Sequence, residues 1–326
     1  MKIVVTGAGG FIGRALTKKL ADDGNEVIAV DNNYRGTLNS VEQSKNIRLE
    51  EVDVLDAEAV DRVIDGADAV YHLAYINGTQ NFYDYPEKVL EIGVIGTHNV
   101  LKSSIKSNIK FFCLASSSEV YQRALEIPTP EEVNMVVPDI MNPRYSYGGG
   151  KIACELLTVN YLRKTSIPYM IFRPHNIYGP KMGFEHVIPQ IIKKILIAKN
   201  NSSSDEVEIE IQGTGKETRA FMYVDDAVDS IKLCSNTNEK SAIYHIGNSE
   251  EITITQLIEA IAKIMGVNNL KIKSAILQEG STDRRCPDTT KLDSLGYNAK
   301  FSLEDGLKEA VDWYIDFYIN EGVTNG

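Results

Sequence analysis

The sequence predicts an α/β protein: a doubly wound parallel sheet followed by a smaller C-terminal α/β lobe. Three observations carry that expectation. Short apolar, β-branched runs alternate with helix-period stretches through the first half of the 326-residue chain, which is the pattern of βαβ units. A glycine-rich turn joins the first of these runs to the first helix. The second half changes character and adds a strand that alternates apolar and acidic residues.

Taken in order, Lys2–Thr6 reads as the first strand and Phe11–Ala21 as the first helix. Val27–Val30, Ile47–Val52, Ala69–Leu73 and Phe111–Ala115 read as the next four strands. Helices are expected over Val89–Ser107 and about Gly149–Lys164, and Tyr169–Phe172 is again strand-like. Right-handed crossovers put the loops that follow these strands along one edge, where ligands bind. Further on, Tyr178–Phe184 is loop-like, Val187–Ile197 is a helix and Asn200–Asp205 is a Ser-rich surface loop. Val207–Ile211 reads Val, Glu, Ile, Glu, Ile, as a half-buried strand does. Thr253 or Thr255 caps a helix running to Met265. The expected division puts 1–175, with a returning segment about 215–245, in a cofactor domain. Residues 176–214 and 246–326 then form a substrate lobe, and no Pro/Gly/Ser linker separates the two.

Composition narrows the function. With 43% hydrophobic and 24% charged residues the chain is an ordinary globular protein. That excludes collagen, a disordered tail and a small disulfide scaffold. The 34 basic and 45 acidic residues leave a net charge of −11, which argues against nucleic acid as a partner. An anionic ligand then needs a local cluster of Arg and Lys. No apolar run is long enough for a membrane span, and the N-terminus enters a strand at once instead of a signal peptide. Cys113, Cys154, Cys234 and Cys286 form no CxxC pair and read as reduced thiols of a cytoplasmic protein. The five histidines show no metal-ligand spacing, so no metal is expected.

The first chemical signal is Thr6-Gly7-Ala8-Gly9-Gly10-Phe11-Ile12-Gly13. Gly7 permits the tight turn, Gly10 lets the backbone approach a pyrophosphate and Gly13 lets the helix pack on the strand. The helix N-terminus at Phe11 and Ile12 offers free N–H groups to phosphate. Asp31, followed by Asn32, ends the next strand. A carboxylate there binds both ribose hydroxyls and repels a 2′-phosphate, so NAD is favoured over NADP. This is the Rossmann-type arrangement. Asp53, with Val54 beside it, either contacts adenine or caps its own loop. Leu73-Ala74 ends the fourth strand with a small residue past which the nicotinamide half of the cofactor fits, while His72 reads as a buried, hydrogen-bonded residue.

The second signal is Tyr147-Gly148-Gly149-Gly150-Lys151. Tyr and Lys at i and i+4 share a helix face. A phenol is a poor base at neutral pH, and a nearby ammonium and cationic nicotinamide are expected to lower its pKa. Three glycines cost about 1 kcal/mol each in a helix, so something needs close access to this turn. The fifth strand ends in Ala115-Ser116-Ser117-Ser118-Glu119-Val120-Tyr121, which sets hydroxyls beside Tyr147. No GxSxG elbow is present, which disfavours a hydrolase triad.

Together TGAGGFIG at 6–13, Asp31, HLA at 72–74, SSSEVY at 116–121, YGGGK at 147–151, RPHNIYGP at 173–180 and RAFMYVDD at 219–226 resemble the extended short-chain dehydrogenase/reductase family, in its nucleotide-sugar epimerase/dehydratase branch. The resemblance implies catalytic roles for Ser117, Tyr147 and Lys151. It implies that Asn176 and Arg219 bind a nucleotide-diphosphate sugar, with Arg285 a second arginine as in decarboxylase members and His186 and Val187 bordering the nucleotide. The alternative for each arginine is one half of a surface salt bridge. The resemblance also implies a homodimer through the helices at 89–107 and 149–164, with Ile92, Ile95, Leu156 and Val159 on the shared face or in the core. Three departures fall near the expected pocket. Gly93 stands in place of a common asparagine, Gln122 follows Tyr121 in place of glycine, and Tyr75 begins a continuation after HLA that is not small.

Branch members begin by oxidising the sugar at C4. Epimerisation demands the fewest further groups and is the first expectation, with 4,6-dehydration or decarboxylation as alternatives. Ser118-Glu119 is the discriminating dipeptide: Glu119 is either a base at C5 or a residue facing water or capping a helix. A non-catalytic NAD(H)-sensing regulator is the alternative of another class.

Overall fold

The structure, a computed structural model, describes residues 1–202, 206–237, 239–275 and 282–322. Its first half reads β1 (Lys2–Thr6), α1 (Phe11–Asp22), β2 (Glu26–Asp31), β3 (Ile47–Glu51), α2 (Ala57–Ile64), β4 (Ala69–His72), α3 (Thr79–Asp84), α4 (Pro86–Leu90), α5 (Gly96–Lys106), β5 (Phe111–Ala115), α6 (Ser146–Leu162) and β6 (Tyr169–Pro174). Its second half adds β7 (Ile177–Tyr178), α7 (Val187–Asn201), β8 (Glu206–Gln212), β9 (Thr218–Ala220), β10 (Met222–Tyr223), α8 (Val224–Ser235) and β11 (Ser241–Ile246). β12 (Glu251–Thr253), α9 (Ile254–Ile264), β13 (Asn269–Ala275), β14 (Arg284–Arg285), α10 (Thr290–Asp293) and α11 (Leu303–Asn320) follow.

Seven parallel strands form one sheet in the order β11-β6-β5-β4-β1-β2-β3. The order reverses between β1 and β4, so the crevice at their carboxyl ends is the ligand position of a doubly wound fold. Both faces are covered. Leu16 and Leu20 of α1, with Ala227 and Ile231 of α8, pack on one face. Val60 of α2, Val100 of α5 and Cys154 of α6 pack on the other. The central strands β1, β4 and β5 read as near-continuous apolar runs because neither face meets water, whereas the edge strand β3 carries Arg48, Glu50 and Glu51.

The C-terminal residues build a second core from α7, β8, α9 and α11, centred on Ile192, Ile209, Ile258 and Tyr314. β8 alternates exposed Glu and buried Val or Ile along its length and pairs in parallel with β13. Thr253 caps α9 in a reciprocal capping box with Gln256, an arrangement that contributes about 1 kcal/mol. β9 pairs with both β12 and β14, and this small sheet sets Arg219 opposite Arg285.

Three boundaries differ from expectation. α7 continues through Asn201, so Asn200 is helical, and positions 203–205 of the expected loop lie outside the described residues. α6 starts at Ser146, which draws Tyr147 and all three glycines into its first turns. The expected helix over 89–107 is broken by a π-helical turn at Glu91–Ile95. There the Gly93 carbonyl accepts from the Cys154 thiol, and a wider turn of this kind frequently marks a functional region. All four cysteines are buried and free. Among the described residues no helix is long and apolar enough to cross a membrane.

Candidate active site

The glycine loop forms the floor of the crevice. Gly7 has φ +72°, and a Cβ there would lie 2.7 Å from the Ala74 nitrogen. Gly7 therefore serves both the turn and the close approach of Leu73-Ala74. A Cβ on Gly13 would run into the Gly7 carbonyl, so α1 packs on its own loop only through glycine. At Gly10 the one neighbour a Cβ would meet is the Gly7 oxygen at 3.1 Å, and the face beyond is open. α1 has no side-chain N-cap, which leaves its first N–H groups to an anion. Phe11 leans on the second core and Ile12 on the first, so each side chain anchors the helix while its backbone serves the ligand.

Asp31 accepts from the backbone N–H groups of Gly9 at 3.0 Å and Asn33 at 2.9 Å. Burial nevertheless raises its pKa above the ordinary aspartate value. Anion donors at one end and a fixed carboxylate at the next strand's end fit a dinucleotide. Asp53 behaves as a loop cap: one oxygen accepts from the Leu55 N–H and the other from the Asn32 amide. These bonds match the loop-capping alternative and also hold Asn32, and each carboxylate oxygen keeps a lone pair for an adenine contact. Val54 lies beside Asp53. It is buried under α5, where a Cβ on Gly96 would strike it, and only its main chain can reach the crevice. His72 bridges Thr6 and Thr97 through its two ring nitrogens and is held neutral by burial, its pKa lowered to about 3.

Tyr147 sits at the positive end of α6, with Lys151 and Glu155 following at four-residue intervals on the same buried face. Its ring is stacked on Phe82 at 4.9 Å and meets the ring of Tyr75 edge-on at 5.2 Å. This box desolvates the phenol and pushes its pKa up to about 12; the hydrogen-bonded Ser117 hydroxyl pulls it down, Glu119 raises it and Arg35 lowers it. The expected lowering concerns Lys151 acting together with a cationic nicotinamide; among the protein's own groups burial has the largest effect on Tyr147. The ammonium donates to the Ala115 carbonyl at 2.7 Å and lies 5.8 Å from the Tyr147 ring centroid but 3.9 Å from that of Tyr75. Burial lowers Lys151 itself to about 8.

The close access that the three glycines announced is made by this chain's own side chains. A Cβ on Gly148 would meet the Gln122 amide and the Glu119 carbonyl, and one on Gly150 would overlap the Tyr75 hydroxyl. Gln122 keeps a left-handed backbone, φ +53°, as a glycine there would.

Ser117 caps a short helical turn at Ser118–Val120, its oxygen accepting from the Glu119 N–H at 3.1 Å. Its hydroxyl is also hydrogen-bonded to Tyr147, so the two oxygens face one position. Ser118 is buried within that turn. Glu119 accepts from Arg285 at 2.6 Å. Burial raises the Glu119 carboxyl, but Arg285, Arg144 and Arg219 together hold it below the usual glutamate value. Burial lowers Arg219 to about 10, helped by Arg285, while its guanidinium donates to the carbonyls of Thr218 and Thr282.

Asn176 has a left-handed backbone and donates its amide to the Ala220 carbonyl at 3.1 Å. His186 precedes α7 and is held neutral by burial and by Arg35, its pKa lowered to about 4. Val187 packs its side chain against the second core, and its N–H is the first of α7, a helix start without a side-chain cap.

Sequence reasoning missed Phe82, Arg35, Arg144, Glu155 and Arg173. Arg144 was findable, being three residues before Tyr147. Glu155 was findable by carrying the i, i+4 step past Lys151. Phe82 lies on the six-residue helix α3 and Arg35 in a bend after β2, segments too short for a periodicity to show their direction.

The NAD dependent epimerase/dehydratase family pattern matches residues 3–247. The chain is 31% identical over 318 residues to UDP-glucuronic acid decarboxylase 1 of Xenopus tropicalis, covering 96% of this chain and 72% of that protein. It is 30% identical over 325 residues to UDP-N-acetyl-alpha-D-glucosaminuronate decarboxylase of Bacillus cytotoxicus, covering 96% and 97%. Its fold matches the UDP-glucose 4-epimerase of Thermotoga maritima, solved with UDP-glucose, with a TM-score of 0.85 and 27% identity over 97% of this chain and 99% of that one.

Proposed function

The chain belongs to the NAD dependent epimerase/dehydratase family and is an NAD-dependent nucleotide-sugar enzyme, and we propose that it oxidises a nucleotide-linked hexuronate at C4 and releases its carboxyl group as carbon dioxide. The observation that carries this reading is the Glu119–Arg285 ion pair, with Arg219 and Arg144 acting on the same carboxylate. Three guanidiniums around one carboxylate leave net positive charge in a chain of net charge −11. A diphosphate uses part of it, and the rest suits a second anion, the carboxylate of the sugar. The decarboxylases that are 30–31% identical along 96% of the chain support the same choice.

NAD, when bound, accepts the C4 hydride and returns it at the end. The N–H groups at the start of α1 hold the pyrophosphate, and Asp31 takes the ribose hydroxyls. Tyr147 first loses its phenol proton to solvent, a loss favoured by the positive end of α6 and by the Lys151 ammonium, and the resulting phenolate takes the proton of the C4 hydroxyl. Ser117 donates to the same C4 oxygen. With C4 a ketone, the C5–C6 bond breaks and its electron pair moves onto the C4 oxygen. Ser117 and the protonated Tyr147 stabilise that oxyanion. Carbon dioxide leaves, and C5 takes a proton from water. Glu119, held ionised, aims Arg285 at the departing carboxylate.

A second reading, 4-epimerisation, is favoured by the fold match to UDP-glucose 4-epimerase and by needing only Ser117, Tyr147 and Lys151. The test is incubation with NAD and a panel of UDP-, dTDP-, GDP- and CDP-sugars that includes hexuronates. Mass spectrometry is expected to record loss of carbon dioxide from a hexuronate. Unchanged mass with an inverted centre by NMR establishes the epimerase instead, and loss of water a dehydratase. NAD binding without any sugar-nucleotide binding establishes a regulator.

We also propose a homodimer through α5 and α6. Ile95, in the turn that leads into α5, and Leu156 of α6 are 47% and 55% exposed, and a partner subunit covering them would remove that apolar surface from water. Light scattering checks the mass.

A further inference from the structure

Tyr75, Gly93 and Gly150 form one matched set beneath the candidate base. A Cβ on Gly93 would overlap the ring end and hydroxyl of Tyr75, and a Cβ on Gly150 would overlap the same hydroxyl. Two helices therefore give up side chains so that one phenol fits between them. That phenol's oxygen is buried without a hydrogen-bond partner, so its position is not set by its polar group. What the ring does have is charge and edge contacts: the Lys151 ammonium lies 3.9 Å from its centroid, and the Tyr147 ring meets it at 86° and 5.2 Å.

We propose that Tyr75 is a positioning residue that holds the Lys151 ammonium, and with it the Tyr147 ring, through its aromatic face. The inference rests on the reading of Tyr147 and Lys151 as the reacting pair, but its physical content is a property of the protein alone. Lys151 is 3% exposed, and water can give it little. Its charge depends on what the fold supplies. From β5 comes the Ala115 carbonyl. From α6 come Tyr147, Cys154 and Glu155; the last two favour the ammonium, but Glu155 is already paired with Arg173 of β6. From β4 comes His72, neutral and bonded to threonines. Of the two ring faces within reach of the ammonium, Tyr75 at 3.9 Å is much nearer than Tyr147 at 5.8 Å and is the stronger stabiliser of a cation at that spot. A ring face attracts an ammonium without accepting its proton, so it keeps Lys151 charged and leaves its hydrogens free to serve a ligand.

The test is an NMR titration of ligand-free protein carrying lysine labelled with 13C at Cε, with the Lys151 signal assigned by Lys151→Met. Wild-type Lys151 is expected to titrate near 8. In Tyr75→Leu the midpoint is expected to fall by about one pH unit, a tenfold change in the ionisation constant. Tyr75→Phe, which keeps the face and loses only an unpartnered hydroxyl, is expected to titrate like wild type. Tyr75→Met, long and apolar without a ring, replaces Tyr75→Leu if that variant fails to fold by circular dichroism. A folded Leu or Met variant with an unchanged midpoint overturns the proposal, and so does a Phe variant that falls as far as Leu. No substrate enters the measurement, so the result stands apart from which sugar reaction the enzyme performs.

Discussion

Arg285 and Glu119 meet at 2.6 Å across 166 residues of sequence, and the meeting joins the two halves of the chain at the crevice. Glu119 follows the end of β5 in the seven-stranded sheet, whereas Arg285 is carried by β14 beside Arg219. The pair is 16% and 25% exposed on its two sides, so water screens it only in part.

This pair makes stability depend on acid. The Glu119 carboxyl is lowered in the folded protein against 4.5 as its ordinary value. A lowered carboxylate contributes stability that is fully present above 4.5 and is lost as pH falls through the lower folded value. Wild type is therefore expected to lose thermal stability on acidification more steeply than Glu119→Gln. Arg285→Met is expected to cost about 1–3 kcal/mol at neutral pH, because it leaves a partly buried carboxylate unpaired. Melting temperatures measured from neutral pH to below 4.5 check both. Parallel curves for wild type and Glu119→Gln rule the linkage out.

Glu155 and Arg173 form the deeper pair, 2.6 Å apart and 3% and 2% exposed. Arg173 also donates to Tyr121 and the Glu131 carbonyl, and Ser116 donates to Glu155. Removing one partner strands the other charge in the interior. Glu155→Ala is expected to cost about 3–5 kcal/mol in urea unfolding, with a smaller cost for the pair of substitutions Glu155→Leu and Arg173→Met. A larger cost for the double variant contradicts the stranded-charge account.

Much of this arrangement was legible in the sequence, and the reasons are physical. Gly7, Gly13, Asp31, Tyr147 and Lys151 are constrained by local geometry, a turn, a strand end or a helix face, and local geometry is written at fixed spacing. The sheet followed from the alternation of apolar runs with helical periods. The Glu119–Arg285 and Glu155–Arg173 pairs were not legible as pairs, because nothing local encodes a contact across the sheet. The phenol's environment was legible only in part for a related reason. A Lys four residues away pointed to charge stabilisation, whereas Phe82 and Tyr75 arrive from elsewhere in the chain and add desolvation. The three departures at Tyr75, Gly93 and Gln122 looked independent in the sequence. In space Gly93 and Gly150 make room for Tyr75, and Gly148 makes room for Gln122.

That coupling is measurable. Gly93→Ala is expected to destabilise wild type by about 1–3 kcal/mol through overpacking against Tyr75. In a Tyr75→Ala background the same change is expected to cost little or to stabilise, since alanine also favours the helix. A double-mutant cycle by urea unfolding should return a coupling of about 1 kcal/mol or more. A coupling near zero means that the ring moves aside at no cost.

The base itself gives the last prediction. Tyr147 is 7% exposed, and burial holds its pKa at about 12. A group whose folded pKa is raised keeps its proton through the neutral range, so proton removal must be coupled to arrival of a hydroxyl beside Ser117 and Lys151. Turnover should therefore rise with pH above neutrality until Lys151, lowered to about 8, loses its charge and the limb falls. Tyr147→Phe keeps the stacked ring and removes only the oxygen. It is expected to lower kcat by about a thousandfold or more while calorimetry returns an unchanged NAD affinity, because the groups proposed to hold the cofactor, the α1 N-terminus and Asp31, are untouched. A Phe variant that turns over at the wild-type rate with its sugar nucleotide assigns the proton transfer to another residue. A variant that loses NAD affinity instead makes the phenol a binding group.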